Sequence, residues 1–260
     1  MTEFLYLSNP WILPALMLVV LGLAIELPYR FKASLPLRKL NPDASNIVQA
    51  GLVTLSAFVL SLSFSQASAR FDARRLVVVA EANSIATTWL RADQLPPSES
   101  KRFRQILTSD TAGGLAAYQS PYDPNLVRQT NDRADRDLRQ LWSIVSSAMR
   151  ARETSIGLSL LMESLNNTSD VAIQERQALA SHVPTAIVLL TLCLVTLGTL
   201  SLGLRFAVIG SRPLLLSIIY VVAYVIVIEM MIDYDRPNTG FVTVSLTPLV
   251  DQLHSMQRSL

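Results

Sequence analysis

The stretch from Asn46 to Asp93 constrains this chain more than any other: an apolar, serine-striped run, GLVTLSAFVLSLSFSQAS, passes without a helix breaker into the polar RFDARRLVVVAEANSIATTWLRAD. As one helix rising 1.5 Å per residue it reaches about 70 Å, more than twice the roughly 30 Å hydrocarbon core of a bilayer. Such a helix leaves the membrane as a rod. The chain therefore needs both a spanning part and a part outside.

Composition agrees. Half of the 260 residues are hydrophobic and only 16% are charged, with the apolar residues concentrated near the two ends. This is the pattern of a multi-pass membrane protein rather than a soluble enzyme. The net charge of +2 conceals a polar middle, Arg70 to His182, whose arginines and carboxylates nearly balance, so nothing points to nucleic acid. One cysteine, Cys193, and two histidines, His182 and His254, are too few for an ordinary zinc site, and no metal or cofactor is expected. No nucleophile elbow, P-loop or dinucleotide fingerprint is present, and no enzymatic activity is expected. Met1 to Pro10 contains Glu3 and no basic residue, the reverse of a signal peptide, so the first apolar stretch is expected to be retained as a span.

Four spans are expected, at about 11–29, 47–68, 183–206 and 213–232. The reading is an all-α protein with four transmembrane helices in two hairpins. A helical extramembrane domain is inserted between spans 2 and 3. The expected divisions are a first hairpin in 1–69, a helical domain in 70–182, a second hairpin in 183–236 and a C-terminal tail in 237–260. Tyr6, Trp11 and Tyr29 sit where an aromatic belt would flank the first span. Within the middle, a helix is expected from Ser98 to about Thr108. Gly113-Gly114 and SPYDPN (Ser120 to Asn125) read as a loop, followed by a long helical pattern from Asn131 to about Asn166. A separate helix follows from Asp170 to His182, capped by Ser169 or Asp170.

Orientation is ambiguous. Arg30, Lys32, Arg38, Lys39, Arg205 and Arg212 lie in the short connections, which would place the middle outside the cytoplasm; Arg70, Arg74 and Arg75 flank the second span on its other side and oppose that.

Two sets of residues stand out. At 100° per residue, Thr54, Phe58, Ser61, Ser65, Ser68 and Asp72 fall within about 40° of one line, and Arg75 extends the row. A hydroxyl row can line a water-filled path, or let helices pack closely. The opposite face carries Arg70, Arg74 and Glu81. The exit of the fourth span, EMMIDYDRPNTG, places Glu229, Asp233 and Arg236 on one face, with Asp235 beside them. A carboxylate at the end of a span is costly unless paired or hydrated. These residues are candidates for an ion site or for a structural clamp in which Asp233 or Asp235 holds Arg70 or Arg74. The run NDRADRDLRQ, by contrast, pairs Asp132, Asp135 and Asp137 with arginines four residues away and reads as a salt-bridged helix surface rather than a calcium loop.

Three strings, RFDARRLVVVAEANSI, SLNNTSDVAIQERQALASHVP and DYDRPNTGFVTVSLTPL, in that order between two hydrophobic hairpins, resemble the bacterial bestrophin-like membrane family, distantly similar to bestrophin channels. The resemblance covers the chain from about Ile47 to its end. It implies four spans per subunit, a helical domain in the cytoplasm, and a homo-oligomeric ring, expected to be a pentamer, in a bacterial inner membrane. It also implies an axial ion path lined by the second span through Thr54, Phe58, Ser61, Ser65 and Ser68, with Asp72 and Arg75 at the polar mouth. Membrane lipid and inorganic ions are then the expected partners. The repeated aromatic neck of bestrophins is reduced here to Phe58, and no acidic cluster resembles their calcium clasp, so calcium gating is not implied. The alternative is a non-conducting oligomeric scaffold whose helical domain docks another protein.

Overall fold

A computed structural model of the chain describes residues 11–32, 34, 41–119, 124–151, 155–236 and 240–260. Tyr6, Arg38, Lys39 and Pro237, and most of the SPYDPN turn, lie outside the described residues. The elements, in chain order, are α1 (Ile12–Arg30), α2 (Pro42–Arg91), a 3-10 turn (Ala92–Gln94), α3 (Pro97–Gln119), α4 (Pro124–Ala151), α5 (Ile156–Ala180), α6 (Thr185–Ile209), α7 (Leu214–Asp235) and α8 (Thr247–Arg258). The described residues contain no strand. Segments in α1, α2, α6 and α7 are long and apolar enough to cross a membrane.

The rod expected from Asn46 to Asp93 is present as α2, 50 unbroken residues. Pro42 stands at its first position, where the missing N–H costs nothing. At its other end the 3-10 turn and Pro96-Pro97 stop it. The chain divides into two compact units, one made of Met1–Ala69 and His182–Arg236, the other of Arg70–Ser181 and Pro237–Leu260.

In the first unit, Leu13, Met17, Leu21 and Ile25 repeat every four residues along the buried stripe of α1. They meet Val188, Val195 and Leu202 of α6 and Val221, Val225, Ile228 and Ile232 of α7 in one core, to which α2 adds Leu60 and Ala67. The approach of α1 to α6 depends on Gly203. A Cβ there would lie 2.5 Å from the Ile25 carbonyl oxygen and 2.8 Å from Ile25 Cα, so only glycine lets the backbones come this close. Gly210, at φ 75°, closes α6, its N–H donating to Phe206 O at 2.9 Å.

In the second unit the core is built from Val78, Ile85 and Trp89 of α2, Phe103 and Leu107 of α3, Leu141 and Val145 of α4, and Leu158, Leu161 and Leu165 of α5. Leu249 and Met256 of α8 join it, so the segment after residue 240 packs into this unit rather than trailing as a tail.

Three expectations about the middle region are corrected. Gly113-Gly114 does not open a loop: α3 runs through both to Gln119. Two glycines cost a helix interior about 2 kcal/mol, which packing against α4 offsets; a Cβ at Gly113 would lie 4.0 Å from Thr130 Cγ2 of that helix. The pattern from Asn131 to Asn166 is not one helix, because α4 ends at Ala151 and α5 starts at Ile156. Nor does a new helix begin at Asp170. The run Asn166 to Asp170 stays inside α5, where the Ser164 hydroxyl donates to Leu161 O and that of Thr168 to Ser164 O, both satisfied on their own helix. Thr168 also meets Thr88 of α2 at 2.9 Å.

Candidate functional site

The spanning half of α2 carries two sets of hydroxyls with opposite fates. Ser56 and Ser63 are buried: the Ser56 hydroxyl donates to Val53 O and lies 3.1 Å from the Tyr224 hydroxyl of α7, while that of Ser63 donates to Val59 O and lies 3.2 Å from Thr191 of α6. Together with Leu60 and Ala67 they form the inward stripe. The predicted row faces elsewhere. Thr54, Phe58, Ser61 and Ser65 are exposed, Phe58 at 61%, and Ser68 is half-buried. Farther along the same helix Asp72 and Arg75 are exposed too. Apart from Ser68, the row is left uncovered among the described residues.

The residues expected on the opposite face are drawn inward to different degrees. Arg74 is buried at 3%, and its guanidinium caps the C-terminal end of α5, donating from Nε to Ala178 O at 3.1 Å and from Nη2 to Ser181 O at 2.7 Å. A cation there meets the negative end of the helix dipole. Arg70 is half-buried, with its Nε lacking a hydrogen-bond partner among the described residues.

At the exit of α7, the Arg236 guanidinium folds back onto Glu229, Nη1 to Oε1 at 2.9 Å, with both residues buried. This is the pairing that an acidic group at the end of a span requires. Asp235 turns to the start of α6 instead: its Oδ2 accepts the Val183 N–H at 2.8 Å and lies 3.7 Å from His182 Nδ1. Asp233 is buried beside them at 1% exposure. The motif thus ties the end of α7 to the entry of α6, a role for His182 and the Val183 amide that spacing in the sequence did not suggest.

Further polar contacts hold the other end of this unit. Arg205 donates to the Gln49 side chain at 3.1 Å, and Glu26 bridges Arg30 at 2.7 Å and Arg212 at 2.6 Å. In the sequence these arginines stand only as basic residues of the short connections. Glu26, the one acidic residue inside the first apolar helix, was the available signal.

The second unit holds a cluster of acids that the sequence did not single out, apart from Glu81. Burial, with Asp137 nearby, pushes the Asp110 carboxyl up to about 7, against the pull of the Arg133 and Arg176 guanidinia. Burial likewise raises Glu175, against a hydrogen bond from the Tyr118 hydroxyl and the charge of Arg176. Glu81, beyond the apolar stretch of α2, is raised well above the usual carboxylate range by burial first and by Glu175 and Asp110 second. Its Oε2 is buried without a hydrogen-bond partner. Around this cluster, Arg133 pairs with Asp137 at 3.4 Å as the four-residue spacing of NDRADRDLRQ implies, whereas Asp135 meets Arg176 of α5 at 3.0 Å rather than Arg139.

Neither any protein-family model nor any curated protein matches the sequence. Solved structures do match the fold. A tryptophan-to-alanine variant of a bacterial bestrophin homologue from Klebsiella pneumoniae superposes with a TM-score of 0.70 over 94% of each chain at 15% identity. A structure of the Klebsiella homologue phased on zinc gives 0.65 over 94% of each chain at 19% identity, and a leucine-to-threonine variant gives 0.66 over 96% of this chain and 97% of that one at 20% identity. Identities this low carry the architecture and not the chemistry. Four apolar helices in two hairpins, with a helical unit inserted between the second and third, give this chain the fold of the bacterial bestrophin homologues.

Proposed function

We propose that this chain is the subunit of an oligomeric bestrophin-like ion channel in a bacterial inner membrane, its path lined by α2. The observation that carries the reading is the division of hydroxyls on that helix. Ser56 and Ser63 are satisfied within the chain, whereas Thr54, Phe58, Ser61 and Ser65 are left exposed on a helix apolar enough to span. Hydroxyls facing lipid would gain nothing; facing an axis shared by several copies, they replace part of an ion's hydration shell. A ring of subunits, taken as a pentamer, supplies that axis. Phe58 is the constriction and Asp72 and Arg75 line the mouth, the first attracting cations and the second anions.

The test is flux of chloride, sodium and potassium from liposomes holding the purified protein. We expect passage of at least one, reduced by Ser61→Leu and Ser65→Leu. A ring that assembles yet passes none of them overturns the channel and leaves the scaffold, its helical unit docking another protein.

A further inference from the structure

A groove of about 230 Å³ opens between α1 and α7 in the spanning unit. Its walls are apolar: Leu18, Gly22 and Ile25 on one side, Ile218, Val221 and Val222 on the other. From Tyr29 to Leu18 the α1 wall runs eleven residues, about 16 Å, which matches the length of an acyl segment lying along the helices. Gly22 leaves it open, since a Cβ there would meet nothing within 4 Å. At the mouth the chemistry changes. Glu26, Tyr29 and Arg212 line it, and Arg30 and Lys32 stand beside it. Arg212 and Lys32 both lie over the Tyr29 ring, at 5.8 and 4.7 Å from its centroid. Among these residues three cations face one carboxylate. Glu26 takes one N–H from each arginine, while the Arg212 side chain stays 41% exposed and that of Arg30 69%. A guanidinium has five N–H donors, so both retain donors for another anion.

We propose that this groove is a binding site for an anionic phospholipid, one acyl chain lying between α1 and α7 and the phosphate held by Arg212 with Arg30 and Lys32. Charge complementarity selects that occupant over a zwitterionic lipid or a second copy of the chain, because basic pockets between spanning helices favour anionic headgroups. Apolar walls that end in a positive mouth match a lipid's own order of tail and headgroup.

The experiment titrates the full-length protein in neutral detergent with dioleoylphosphatidylglycerol or dioleoylphosphatidylcholine and counts bound lipid by native mass spectrometry. We expect the first to bind about tenfold more tightly, a difference near 1.4 kcal/mol. Arg212→Gln should erase that preference while retaining weak binding of both lipids. Gly22→Phe should fill the groove and weaken both; Ile218→Trp fills it from the other wall and serves if the glycine variant fails to assemble. Equal affinity for the two lipids in the wild type overturns the proposal, as does tight phosphatidylglycerol binding that survives both filling substitutions. A cysteine at Ser217, in a Cys193→Ser background, that cross-links two copies would show the groove closed by another subunit, and overturns it as well.

Discussion

The two faces of α2 within the membrane carry the same residue types and behave differently. On the inward face Ser56 and Ser63 each meet a hydroxyl from another helix, Tyr224 and Thr191, and the surrounding side chains close over them. On the outward face Ser61 and Ser65 lie one turn apart beside an exposed Phe58, and both are exposed among the described residues. Serine in an apolar helix is therefore no sign of a pore in itself. What separates packing from a candidate path is whether the chain satisfies the hydroxyl by itself.

That contrast can be broken by substitution. The largest effect is expected at the inward polar contacts. Arg236→Ala leaves Glu229 buried without its guanidinium and should cost about 3–5 kcal/mol in unfolding of the purified protein, whereas Arg75→Ala, on an exposed position, should stay within about 0.5 kcal/mol. Next comes close packing. Gly203→Ala forces a methyl against the backbone of Ile25 and should cost about 1–3 kcal/mol, read as a lower Tm, with Gly22→Ala as the neutral control because its space is open. Ser63→Leu, into a site of zero exposure, should lower stability by a similar amount. Ser61→Leu should leave stability within about 0.5 kcal/mol and reduce ion flux instead. Equal stability losses at Ser61 and Ser63 would abolish the distinction.

A separate effect is expected in the second unit, and it depends on pH. Folding raises the carboxyl of Asp110 from 3.8 to about 7, and those of Glu175 and Glu81 also rise. A carboxyl raised on folding contributes fully below its unfolded value, and the contribution is lost as pH climbs through the folded one. The helical unit should thus melt at a higher temperature at pH 5 than at pH 8, most of the change falling between about 4 and 7 for Asp110. Asp110→Asn should flatten the profile, whereas Ser61→Leu, which replaces no ionisable side chain, should leave it unchanged.

Much of the fold was legible because apolar length and the absence of breakers are local properties. The four spans, the unbroken α2 and the helical insertion follow from them directly. The errors came where local signals were outweighed. Gly113-Gly114 and Asn166 to Asp170 have the composition of a loop and a helix cap, yet both lie inside helices that tertiary packing holds together. The polar residues were harder to place than the apolar ones. Spacing put Glu229 and Arg236 on one face and they pair, but it gave no reason to link Asp235 with the Val183 amide or Glu26 with Arg212.

By itself the sequence determined how many helices are apolar enough to span, that one of them continues well past the membrane, and which hydroxyls share a face, because each follows from the periodicity of a single helix. Which of those faces is covered was decided only by the tertiary structure. Burial depends on neighbours far along the chain: Thr191 and Tyr224 reach Ser63 and Ser56, whereas Ser61 and Ser65 stay exposed among the described residues.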